Sequence, residues 1–306
     1  MKIKNNLLVL PDIKDIVSFK TINSGRSKND ALNKIRENII KCIPHIDEEY
    51  FKDNEYGSDW LNLKNSFENT IKSICPEYKS YKILHKAGRG NNYDYNVIFN
   101  DIDNIKIKDI KLEFKYNAEN IDEAPQFVSP MKPSQYLSLS FEEYYYNNYL
   151  VSLLTDYNLK IPDFETYDKT IHSNKPKCMI EAQTLYYQGC KESSKFNHSE
   201  LAMNFYNSCN NISRESIKKF IEVSDLNIEK LNKYLIETQD EKIYLLYKNN
   251  GFNLQYSDPN DYIIENYEKQ PDKFRYLATS KSNKKIKILL RWKNGNGIAF
   301  PAFQIS

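Results

Sequence analysis

Residues 88–100, GRGNNYDYNVIFN, and residues 105–117, IKIKDIKLEFKYN, decide how this chain is read. Both carry short runs rich in β-branched and aromatic residues, bounded by glycine, asparagine and aspartate, which is strand and turn chemistry. The stretch just upstream, YKILHKAG (81–88), has the same texture. The three runs predict a meander of three strands, turning at Gly88-Arg89-Gly90-Asn91-Asn92 and again at Ile102-Asp103-Asn104. Strand side chains alternate faces, so Glu113 and Lys115 project to one side and Phe114 to the other, into packing. If the last two strands pair as a hairpin, Asp94 reaches the Glu113 face. Two hard oxygen ligands for Mg²⁺ then lie beside a cation able to orient water, which is a hydrolytic phosphate site. The same residues also fit an ion pair on a solvated sheet face, and the pattern alone leaves both readings open.

Working outward, two helices precede the strands. Capping residues at Ser27–Asp30 lead into Ala31, Leu32, Ile35, Ile39 and Ile40 at helical spacing, ended by Pro44. A second apolar stripe, Trp60, Leu61, Leu63, Phe67, Ile71 and Ile74, predicts a helix over 59–75, stopped by Pro76 and carrying Glu68 on its polar side. Beyond the strands, APQFVSPMKPSQYL (124–137) reads as an ordered loop, and FEEYYYNNYLVSLLTDY (141–157) as a helix whose Tyr144–Tyr146 run packs inward. Residues 162–264 read as mostly helical. The C-terminus returns to strands in FRYLATS (274–280), KKIKILLRW (284–292) and GIAFPAFQI (297–305), with Asn294-Gly295-Asn296-Gly297 as a hairpin turn.

The fold class expected is α/β: a central mixed β-sheet flanked by helices, with an α-rich region and a C-terminal β-hairpin. The corresponding segments are a helical 1–58, an α/β core over 59–160, and an α-rich 161–306 ending in the hairpin and packed on the core.

Composition narrows the class. Hydrophobic residues make up 40% and charged residues 27%, and 24 Tyr with 15 Phe exclude a disordered chain. Forty-three Lys and Arg against 41 Asp and Glu give a net charge of +2, so any basic surface for nucleic acid is local. Five cysteines are spread without a CxxC pair, which argues against a disulfide framework or a zinc cluster and for a reducing compartment. Four histidines lack HxH or HExxH spacing, and no GxSxG elbow is present. LLVL near the N-terminus is too brief for a signal-peptide core, so the expectation is an intracellular protein, cytoplasmic or nuclear, neither secreted nor membrane-inserted.

Asp94 followed by Glu113-Phe114-Lys115, with a helix before and a helix after, resembles the PD-(D/E)XK nuclease superfamily, whose core is restriction-endonuclease-like. The likeness covers residues 59–150. It implies that Asp94 and Glu113 bind Mg²⁺, for which Mn²⁺ substitutes, that Lys115 positions or activates the attacking water, and that a phosphodiester bond is hydrolysed. Tyr93 stands where the pattern has proline. The acidic residue that such nucleases often carry on the preceding helix corresponds to Glu68, with Glu37 on the earlier helix as second choice. Gln126 is carried as a nucleic-acid contact. Arg89 and Asn91 in the glycine turn are candidate phosphate contacts, because glycine lets backbone approach closely. Lys285, Arg291 and Lys293, beside Trp292, either track a phosphate backbone or protect a strand edge.

The expected function is a metal-dependent endonuclease acting on DNA, restriction-, homing- or repair-like. Site-specific double-strand cutting would call for a homodimer. The alternative is a nucleic-acid-binding protein that keeps a nuclease-like fold without the chemistry.

Overall fold

The computed structural model describes residues 9–21, 26–52, 54–86, 91–123, 127–128, 133–170, 179–190, 199–239, 241–292 and 301–305. Along the chain come α1 (Arg26–Cys42), α2 (Gly57–Lys72), β1 (Ser80–His85), β2 (Tyr95–Asn100), β3 (Lys106–Tyr116) and the short β4 (Phe127–Val128). Helix α3 (Phe141–Tyr145) runs through a π-helical turn at Tyr146–Leu150 into α4 (Val151–Asp156). Next are α5 (Phe164–Thr170), α6 (Glu181–Gly189), α7 (Glu200–Val223) and α8 (Ile228–Gln239). The remaining strands are β5 (Lys242–Lys248), β6 (Gly251–Tyr256), β7 (Ile264–Gln270), β8 (Arg275–Ser280), β9 (Lys285–Trp292) and β10 (Pro301–Ile305).

The chain divides into two compact units, one of residues 1–124 with 238–258, the other of 125–237 with 259–306. The boundaries expected at 58 and 160 do not coincide with this division. Helix α1 belongs to the same hydrophobic core as the meander, through Ile39 and Ile40, and so is not a separate segment.

The first unit is built on a mixed five-stranded sheet in the order β1-β2-β3-β5-β6. The β1-β2-β3 meander is antiparallel, β5 runs parallel to β3, and β6 returns antiparallel to β5. One face of the sheet meets α1 and α2. There Trp60, Phe67 and Ile71 pack with Ile83, Val97, Phe99, Leu112 and Leu245. The other face of β5 buries Tyr244 and Leu246 with Ala118 and Ile121. Being covered on both faces is why β5 reads Lys-Ile-Tyr-Leu-Leu-Tyr-Lys without alternation, as central parallel strands do.

Arg36 pins α1 in place. Its guanidinium is buried, lies 3.4 Å over the centroid of the Tyr116 ring, and donates to the Ser18 and Thr21 carbonyls and to Asn33 Oδ1. A buried cation is tolerable only with this saturation of its donors.

The second unit carries an antiparallel sheet in the order β4-β10-β9-β8-β7 and an aromatic core that includes Tyr145, Tyr167, Tyr186, Phe205, Phe220, Tyr276 and Phe303. Tyr145 is fully buried, so the tyrosine run does pack inward. Two sequence expectations need correction. The C-terminal hairpin is part of a five-stranded sheet, and the 162–264 stretch read as mostly helical contains β5 and β6 and the first residue of β7. Among the described residues no helix is long and apolar enough to cross a membrane.

Candidate active site

The site lies wholly in the first unit, where β2, β3 and β5 run side by side. Tyr95 pairs with Leu112, and continuing that register by one residue sets Asp94 opposite Glu113. Asp94 precedes β2 but is already held in the ladder: its N–H donates to the Leu112 carbonyl at 2.9 Å, and its carbonyl accepts from Lys86 N–H at 2.7 Å. Tyr95, Val97 and Phe99 enter the helix-side core together with Leu112 and Phe114. Period-2 alternation therefore sends Asp94, Asn96, Glu113 and Lys115 to the opposite face.

The expected cluster is thus brought together. Lys115 Nζ lies 2.7 Å from Glu113 Oε1, and both side chains are largely covered, at 17% and 14% exposure. This is not the solvated surface pair that the sequence also allowed. Asp94 Oδ2 accepts the Phe114 N–H at 2.9 Å. Its carboxyl is pushed up to about 7, chiefly by burial, then by the negative charge of Glu113 and more weakly by Glu37, against the opposing Phe114 hydrogen bond and Lys115. Asn96 Oδ1, on the same face, is buried without a hydrogen-bond partner.

The helix acid near this cluster is Glu37 and not Glu68. The Tyr95 hydroxyl donates to the Glu37 carbonyl at 3.0 Å, tying α1 to the residue next to Asp94. The Glu37 carboxylate meets His85 Nε2 at 3.2 Å. Glu68 accepts from the Tyr81 hydroxyl at 3.1 Å and sits 4.0 Å from Lys64 Nζ. The physical reason is the seating of the helices: α1 lies beside β1 near its His85 end, whereas α2 packs on β6.

Sequence reasoning missed Lys242, the first residue of β5. It is 4% exposed, its Nζ donates to the Asn92 carbonyl at 3.2 Å, and it lies 5.0 Å from the Tyr244 ring centroid. Burial lowers its ammonium to about 8 against the pull of Glu113 and Asp94, with Lys115 adding to the lowering.

Of the expected nucleic-acid contacts, Asn91 and Lys285 have described side chains. Asn91 is exposed and its amide donates to the Lys86 carbonyl at 2.8 Å. Lys285, in the second unit, donates to Thr279 Oγ1 at 2.7 Å. Arg291 sits on β9 opposite Ala302, its side chain outside the described residues. Arg89, Gln126 and Lys293 also lie outside the described residues.

The two carboxylates are hard-oxygen donors, and a divalent cation between Asp94 and Glu113 would relieve the repulsion that, after burial, raises Asp94. Among the described residues no group of three or more His, Cys, Asp or Glu is arranged to hold a metal ion. Mg²⁺ characteristically takes only one or two protein carboxylates and fills its other positions with water and phosphate, a ligand count that two carboxylates could meet. No protein-family model and no curated protein matches this chain.

Proposed function

We propose that this protein is a Mg²⁺-dependent nuclease, with Mn²⁺ able to substitute, that hydrolyses phosphodiester bonds in DNA. The observation that carries the reading is the side-by-side placement of Asp94 and Glu113 with Lys115 on one face of a mixed sheet. Asp94 and Glu113 hold the metal, which supplies Lewis-acid stabilisation of the phosphoryl oxygens. Lys115, ion-paired to Glu113, keeps its ammonium where it orients a water and offsets charge developing on the phosphate. The likeness to PD-(D/E)XK nucleases, endonuclease action in particular, and a homodimer for double-strand cutting belong to the same proposal.

The test is cleavage of supercoiled and linear DNA with Mg²⁺ or Mn²⁺ by wild type, Asp94→Ala and Lys115→Ala, each checked for folding. Metal-dependent cleavage by wild type that disappears in both folded variants is the expected result. Salt-sensitive DNA binding without cleavage of any DNA or RNA would overturn the enzymatic reading in favour of an inactive binder, and absence of both would remove nucleic acid as the partner.

A further inference from the structure

We infer that Lys242 is a positioning residue of this site: its buried ammonium clamps the Asn92 carbonyl and so holds the segment that delivers Asp94 to Glu113. The inference rests on the nuclease reading above and deepens it.

Lysine is almost never buried without a partner, and the stem of a surface lysine ordinarily carries its charge out to water. Lys242 does the reverse, at 4% exposure on the first position of a central strand. Register explains its direction. It pairs in parallel with Lys111, and Ile243, Leu245 and Tyr247 take the helix-side core. That leaves Lys242 with Tyr244 and Leu246 on the face shared by Glu113 and Lys115.

The 3.2 Å contact to Asn92 spans 150 residues of sequence and is reinforced by a second tie, Asn92 Nδ2 to the Thr238 carbonyl at 2.6 Å, at the end of α8. Both ties fasten the residue two before Asp94 to the α8–β5 connection. Among the described residues, Asp94 itself is anchored through its own strand bonds and the Phe114 amide. Loss of the Lys242 clamp therefore loosens the segment leading into Asp94, and misplacement of a catalytic carboxylate by about 1 Å costs about 100-fold in rate.

The experiment compares wild type, Lys242→Met, which keeps the stem, and Lys242→Arg, which keeps the cation, in two arms. Amide hydrogen exchange over residues 91–96 should accelerate about ten-fold in Lys242→Met and recover in Lys242→Arg while the rest of the sheet is unchanged. Metal-dependent cleavage should fall about 100-fold in kcat in Lys242→Met with KM nearly constant, and recover partly in Lys242→Arg. Equal exchange in all three proteins overturns the clamp, and faster exchange with undiminished kcat overturns its role in positioning. If the wild type cleaves nothing, the nuclease reading fails and the catalytic part of this inference with it, while the exchange arm still decides the clamp.

Discussion

The Asp94 carboxylate accepts the Phe114 backbone N–H at 2.9 Å, a hydrogen bond from the very strand that presents Glu113 and Lys115. That bond favours the ionised carboxylate, yet burial and the facing Glu113 outweigh it and leave the group at about 7 against an ordinary 3.8. Below about pH 7 the folded Asp94 carboxyl therefore keeps its proton.

The first prediction follows from that imbalance. In metal-free protein, folded Asp94 retains a proton that the unfolded chain releases between about pH 4 and 7. Its contribution to stability is full below the unfolded value and declines as pH rises to the folded one, at up to about 1.4 kcal/mol per pH unit. Denaturant unfolding with a chelator present should show this decline in wild type and not in Asp94→Asn. Parallel pH profiles for the two proteins would contradict it.

A divalent cation should reverse the penalty. Mg²⁺ or Mn²⁺ at about 100 times its Kd should stabilise the fold by about 2.7 kcal/mol, read as a rise in Tm. Asp94→Ala and Glu113→Gln should lose most of that rise, and in wild type it should shrink as pH falls below about 7, where the proton competes with the metal. A cation effect identical in all three proteins would place metal binding elsewhere.

The two helix acids give a sharper discrimination. Glu37 is fastened beside Asp94 by the Tyr95 hydroxyl, and its charge acts on Asp94, whereas Glu68 is engaged by Tyr81. Glu37→Gln should lower cleavage or metal affinity by about 10- to 100-fold, in line with outer supporting groups at metal sites. Glu68→Gln should leave both near wild type. The opposite ranking would return the helix acid to α2.

How far the sequence carried this picture depends on periodicity. The meander was readable because Tyr95–Asn100 and the end of β3 alternate buried with half-buried residues, and that alternation is what put Glu113 and Lys115 on one face. β5 hid because it is buried at six consecutive positions, and such a run cannot be told from a buried helix by pattern. With β5 unseen, the parallel partner of β3 was missing, and Lys242 had no face to belong to. The available signal was Asn249-Asn250-Gly251 between two apolar runs, a hairpin turn obscured by the helical stretch before it. Sequence order favoured Glu68, on the helix that precedes the meander, over Glu37, but each sits on an amphipathic helix, and it is the seating of α1 against Tyr95 that brings Glu37 to the site.

That turn supports the last prediction. Lys248 pairs with Gly251, so Asn249 and Asn250 form a two-residue connection, with φ of 52° and 63°. Two successive left-handed residues match the type I′ hairpin, whose twist suits the flanking strands and which asparagine and glycine tolerate best. Asn250→Gly should therefore be nearly neutral. Asn250→Val, with a branched Cβ in the left-handed region, should cost about 1–2 kcal/mol. The cost should appear in the unfolding of the first unit, because β6 seats Phe252 against Phe67 and Phe19 and bonds through the Phe252 N–H to Ser66 on α2. Equal stability of the valine and glycine variants in urea would mean that the turn is not held in this conformation.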